Sequence, residues 1–67
     1  MSEFLVVIPE GWTQVDVTAS GMSLEVIRAA SSQTMDEMLR IAGIITAEQS
    51  VQEFRILDEN SFFIRVL

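Results

Sequence analysis

Gln52-Glu53-Phe54-Arg55-Ile56-Leu57 and Ser61-Phe62-Phe63-Ile64-Arg65-Val66-Leu67, separated by Asp58-Glu59-Asn60, decide the fold. Each run alternates with a period of two, the pattern of a β-strand whose side chains point to opposite faces. Phe54 and Ile56 share a face in the first run, and Phe62, Ile64 and Val66 share one in the second. Few registers put both sets on one face of a hairpin. A three-residue loop, Asp58 to Asn60, does so with Leu57 opposite Ser61, and it asks Asn60 to take the left-handed conformation such loops use. That register sets Glu53 opposite Arg65, an ion pair, and Arg55 opposite Phe63, a cation–π contact. A register two residues longer would set Arg55 against Arg65. The shorter loop is therefore expected.

Upstream of the hairpin the period changes to that of a helix. Ser23 suits an N-cap, with Leu24, Ile27 and Ala30 on one side of the next two turns. Thr34-Met35-Asp36-Glu37 fits a capping box, and Met35, Met38, Leu39 and Ala42 follow as one stripe. Asp36 and Arg40 stand i,i+4 on the opposite side in the favourable acid-first order. Gly43 is placed to stop the helix. Two consecutive helices are expected, with one bent helix from Ser23 to Ala42 as the alternative. Thr46-Ala47-Glu48-Gln49 repeats the capping-box pattern and marks a single short turn.

Nearer the N-terminus, Phe4-Leu5-Val6-Val7-Ile8 is short and apolar throughout, the signature of a strand buried on both faces. Pro9-Glu10-Gly11 is a turn, and Trp12 to Thr18 alternates, with Val15 and Val17 on one face. A second strand in a hairpin with the first is plausible. The fold class is thus α+β, one domain over residues 1–67. A small, mostly antiparallel sheet, built from an N-terminal strand or hairpin and the C-terminal hairpin, carries two central helices packed on it. A chain that stops inside its last strand puts its terminal carboxylate at a sheet edge.

The composition closes several functions. The chain has 67 residues, no His, no Cys, three separated Gly and a net charge of −6 from ten acids against four arginines. Without His or Cys, neither a Ser–His–Asp nor a Cys–His site can be built, and the usual zinc ligands are missing. Isolated glycines make no phosphate loop. Asp58-Glu59-Asn60 resembles the start of a calcium loop but lacks its central Gly and distal Glu, so a hairpin turn is the better account. Asp36-Glu37 and Asp58-Glu59 look like a helix first turn and a loop tip, both ordinary solvated places for carboxylates. No enzyme activity and no cofactor are expected. Arg28, Arg40, Arg55 and Arg65 are scattered, which disfavours nucleic-acid backbone and anionic membrane as partners. No run approaches the length of a membrane span, and the N-terminus lacks the basic region of a signal peptide. Residence in the cytoplasm of the producing cell is expected.

What remains is apolar surplus: 49% of residues are hydrophobic in a chain too short to bury them well. One helical layer covers one face of the sheet. The other face would carry Leu5, Val7, Phe63 and Leu67. Either the helices straddle the sheet or that second face meets another protein chain. Trp12 is the single Trp; it either anchors such an interface or lids the core. Met22, Met35 and Met38 read as core filler before they read as an adaptable binding surface.

The opening Phe4-Leu5-Val6-Val7-Ile8-Pro9-Glu10-Gly11-Trp12-Thr13-Gln14-Val15-Asp16 resembles the start of small virion proteins of actinobacterial tailed phages. The resemblance covers about the first quarter of the chain and carries no site residues. It implies a head–tail or tail accessory protein present in many copies, found in the virion as an oligomer or assembly member. Connector and tail-tube subunits are usually larger, so this chain would be a joining piece. The alternative is a small acidic inhibitor, of antitoxin or host-takeover type, that blocks a basic protein surface.

Overall fold

A computed structural model describes residues 7–67. The chain runs β1 (Trp12–Asp16), α1 (Leu24–Ala29), α2 (Ser32–Ile41), β2 (Val51–Ile56) and β3 (Ser61–Val66). The three strands form one antiparallel sheet in the order β1-β3-β2. The fold is α+β, as the periodicities require.

The hairpin has the expected register. Glu53 pairs with Arg65, Arg55 with Phe63, and Phe54 with Ile64. The N–H of Leu57 donates to the carbonyl of Ser61 at 3.0 Å, which closes the loop over Asp58 to Asn60. Asn60, however, does not take a positive φ; among the described residues only glycines do. The loop is shaped instead by Asp58. Its Oδ1 accepts from the N–H of Asn60 at 2.7 Å, the N–H of Ser61 at 3.0 Å and the hydroxyl of Ser61 at 3.1 Å. A carboxylate taking three donors folds the turn without the left-handed residue.

The other end of the sheet differs from the local expectation. Phe4 to Val6 of the expected first strand lie outside the described residues. Val7 and Ile8 are exposed and belong to no strand. The N–H of Trp12 donates to the carbonyl of Pro9 at 3.1 Å, and Gly11 sits at φ +86°, the left-handed position that this tight reversal demands. The chain then enters β1, which pairs with β3: Trp12 with Arg65, Gln14 with Phe63, Val15 with Phe62. The last strand is accordingly the centre of the sheet, not an edge. β1 ends at Asp16, two residues short of the alternating run. There the hydroxyl of buried Ser20 donates to the carbonyl of Val17 at 2.6 Å and accepts from the N–H of Met22, turning the chain toward α1.

Two helices form, not one bent helix. Ala30 and Ser31 are both extended, at ψ 138° and 166°. Ser23 caps α1 through the N–H of Val26. The cap of α2 is Ser31, three residues before the expected Thr34. The Ser31 hydroxyl accepts from the N–H of Thr34 at 3.2 Å and also bonds the Thr34 hydroxyl. Starting at Ser31 adds nearly a turn to α2 and places Met35, fully buried, well inside it. α2 stops at Gly43, φ +75°. Gln49 then reaches back to the N–H of Thr46 at 2.8 Å, the half capping box of one short turn.

The core lies between the helices and one sheet face. Ile27, Met35 and Leu39 from the helices meet Val15, Val51, Phe62 and Ile64 from the strands, with Met22 and Ile45 at the margins. Met22 and Met35 are therefore core. Asp36 and Arg40, expected on a solvated face, tie α2 to β2. Asp36 Oδ1 accepts from the N–H of Val51 at 2.5 Å, and the Arg40 guanidinium donates to the carbonyl of Gln49 at 2.8 Å. The Asp36–Arg40 pair itself is only a 4.0 Å contact. Among the described residues, no helix is long and apolar enough to cross a membrane.

Candidate functional site

Because paired residues of an antiparallel sheet share a face, the register alone determines what the open side carries. Trp12, Arg65 and Glu53 form one row; Gln14, Phe63 and Arg55 form the next. The helices occupy the other face and do not straddle the sheet.

Trp12 sits under both arginines. The Arg55 guanidinium carbon lies 5.3 Å from the ring centroid and that of Arg65 lies 5.8 Å from it. Arg55 thus stands opposite Phe63, as the register requires, yet its charge rests over Trp12. Indole is the better π-partner for a cation. Glu53 holds both arginines: Oε2 to Arg55 Nε at 3.2 Å and Oε1 to a terminal nitrogen of Arg65 at 3.4 Å. One carboxylate, two guanidinium groups and one indole make a connected network across all three strands. Arginine stems laid along apolar surface cover it while leaving their heads in water. All three charged groups are substantially exposed, so each ion pair is worth little to stability alone.

Beside this network lies a cleft of about 320 Å³ lined by Pro9, Trp12, Arg55, Ile56, Leu57 and Phe63. Its walls are aromatic and aliphatic, and Arg55 supplies its charge. A second depression, about 410 Å³, follows β1 from Thr13 to Asp16 toward Ala19 and Ile44. Its lining is half polar, from Thr13, Gln14 and Asp16, and it lacks a charged pair. Among the described residues, no three carboxylates converge in a group that could hold a metal ion. Asp58, in the turn, has its carboxyl held below the ordinary value, first by the N–H of Asn60, which outweighs an opposing desolvation, and then by the hydroxyl and N–H of Ser61.

The expected interface residues are dispersed in part. Trp12 and Phe63 line the same cleft. Leu67, just past β3, continues the parity of Phe63 and Arg65 and is 81% exposed. Val7 is 83% exposed but lies ahead of the Pro9 turn, on no strand. Leu5 lies outside the described residues. Sequence reasoning missed Pro9 and Leu57 as cleft walls, and it missed the two arginines over Trp12. The Glu53, Arg55 and Arg65 positions were already in register. The missing signal was the pairing of β1 with β3, which brings the indole to them. Comparison with family models, with curated proteins and with solved structures yields no match.

Proposed function

We propose that this chain is a non-enzymatic interaction protein that acts by burying the open sheet face against other protein. The observation that carries the proposal is the co-location of the single Trp, a Phe and two arginines around one cleft on the uncovered side of the sheet. Trp and Arg dominate the energetics of protein interfaces, and aromatics with Arg are enriched at their centres while other charges are depleted. The resemblance of Phe4 to Asp16 to phage virion proteins supplies a setting, a joining piece repeated in many copies of a particle. The acidic-inhibitor alternative has less support, because two of the four arginines lie on this face, where such an inhibitor would present carboxylates.

Phe63→Glu tests the proposal. A charge placed on an external face leaves the fold intact but cannot be buried cheaply in an apolar contact. Wild-type and variant proteins are purified from the native source, and their folds are compared by circular dichroism. The variant is expected to keep the fold and lose the chains that accompany the wild type. Equal retention by both proteins, a wild type that carries nothing and is monomeric, or unfolding of the variant would refute it.

A further inference from the structure

The charges are unevenly arranged between the two layers. Arg55 and Arg65 lie on the open sheet face with Glu53 between them, an excess of one positive charge. The exposed surface of the helical layer and of the turn after it carries Glu25, Glu37 and Glu48 with only Arg28 in return. On that helical layer the most exposed large apolar side chain is Ile41, at the end of α2, at 81% against 46% for Val26 in α1. Glu37 is one turn before it. Residues four apart on a helix share a face, and this face points away from the buried Met35 and Leu39. The helix therefore presents an aliphatic knob with a carboxylate beside it. The cleft presents the complement: apolar walls of Trp12, Leu57 and Phe63 with the Arg55 guanidinium among them. An isoleucine side chain fits easily within about 320 Å³, and Arg55 commits only its Nε to Glu53, which leaves donors for an incoming carboxylate.

We propose that the occupant of the cleft is a second copy of this chain, seated through Ile41 with Glu37 directed to Arg55. The inference rests on the open face being an interaction surface and names its partner. Knob and cleft lie on opposite layers of the same molecule, so the contact is head-to-tail. Each copy retains a free cleft at one end and a free knob at the other. Such an interface closes into a ring or continues as a filament, and it does not stop at an isologous dimer. The net charge of −6 opposes the association. At physiological ionic strength the Debye length is about 8 Å, so repulsion between distant carboxylates is largely screened while the contacting pair is not.

Sedimentation velocity across a concentration series tests this, on wild type, Arg55→Glu, Glu37→Arg and the double variant. Wild type is expected to grow beyond a dimer as concentration rises. Each single reversal sets like charges against one another and weakens assembly by roughly tenfold or more. The double variant restores it, and so does mixing the two singles, because the mixture contains an intact knob and an intact cleft on different chains. Circular dichroism checks that each variant is folded. Ile41→Asp, on an exposed position, should abolish assembly with the fold unchanged. A wild type that stays monomeric at millimolar concentration, or reversals that assemble like wild type, would overturn the proposal. If a monomeric wild type still holds a different chain in a Phe63-dependent way, self-occupancy fails while the interaction face stands.

Discussion

Replacing Asp36 with Ala separates two accounts of one side chain. As an exposed i,i+4 partner of Arg40 it would contribute about 0.3–0.5 kcal/mol. In the structure its side chain is only 17% exposed, and its Oδ1 accepts the first N–H of β2, that of Val51, at 2.5 Å. Val51 is itself buried. A hydrogen bond to a charged acceptor is worth about 1.5–3 kcal/mol, and a buried donor left unpaired adds to the loss. Arg40, whose Nε is already buried without a partner, would also lose its neighbouring carboxylate. The expected cost is about 2–3 kcal/mol, against a total stability on the order of 3–10 kcal/mol for a chain this long. At about 4–8 °C per kcal/mol, the midpoint should fall on the order of 15 °C. Thermal and urea unfolding followed by circular dichroism measures it, with Gln33→Ala, exposed on the same helix, as the control near zero. Asp36→Asn keeps an acceptor oxygen and should lose less. A loss below about 0.5 kcal/mol for Asp36→Ala would show that the tie between α2 and β2 does not hold the domain together.

The turn and the helix stop give two more expectations. Asp58 has a folded pKa below the ordinary carboxylate value, so its contribution to stability is complete above about pH 4 and is lost as pH falls through the lower folded value. An NMR titration should place its midpoint below 3.8, and Asp58→Ala should flatten the acid limb of the stability profile; a midpoint above 3.8 would contradict the three-donor turn. Gly43→Ala meets open space but must hold φ +75°, which costs about 1 kcal/mol. Gly43→Asn should lose less, and urea unfolding that shows no loss for Ala would mean the helix ends otherwise.

The hairpin was readable because alternation on two runs, a short loop and the signs of Glu53, Arg55 and Arg65 all restrict one register. The start of α1 was readable at Ser23, whereas the cap of α2 was read at Thr34, three residues past Ser31. The extra turn that buries Met35 favours Ser31, and this is a packing fact with no local signature. The partner of β1 was not readable. Alternation in Trp12 to Thr18 says that a strand exists but not that β3 lies beside it. The same gap hid the site, since Trp12 meets Arg55 and Arg65 only through β3. Asp36 was misjudged for a related reason: its partner is a backbone N–H, which every residue but proline offers, so no residue type marks it. Asn60 was expected in the left-handed region because loop length was read without the side chain of Asp58.

The position of β3 at the centre of the sheet also sets the order in which the domain can be made. β1 and both helices leave the ribosome before the strand they all depend on, and Trp12 waits for Arg65 across nearly the whole described length. Pairing of such distant segments must offset a loop-closure entropy before any contact repays it, which slows folding. The nascent chain therefore holds Val15, Ile27 and Leu39 without their covering strand until β3 has been made, and a protease cut between α2 and β2 would divide the core residues between two pieces.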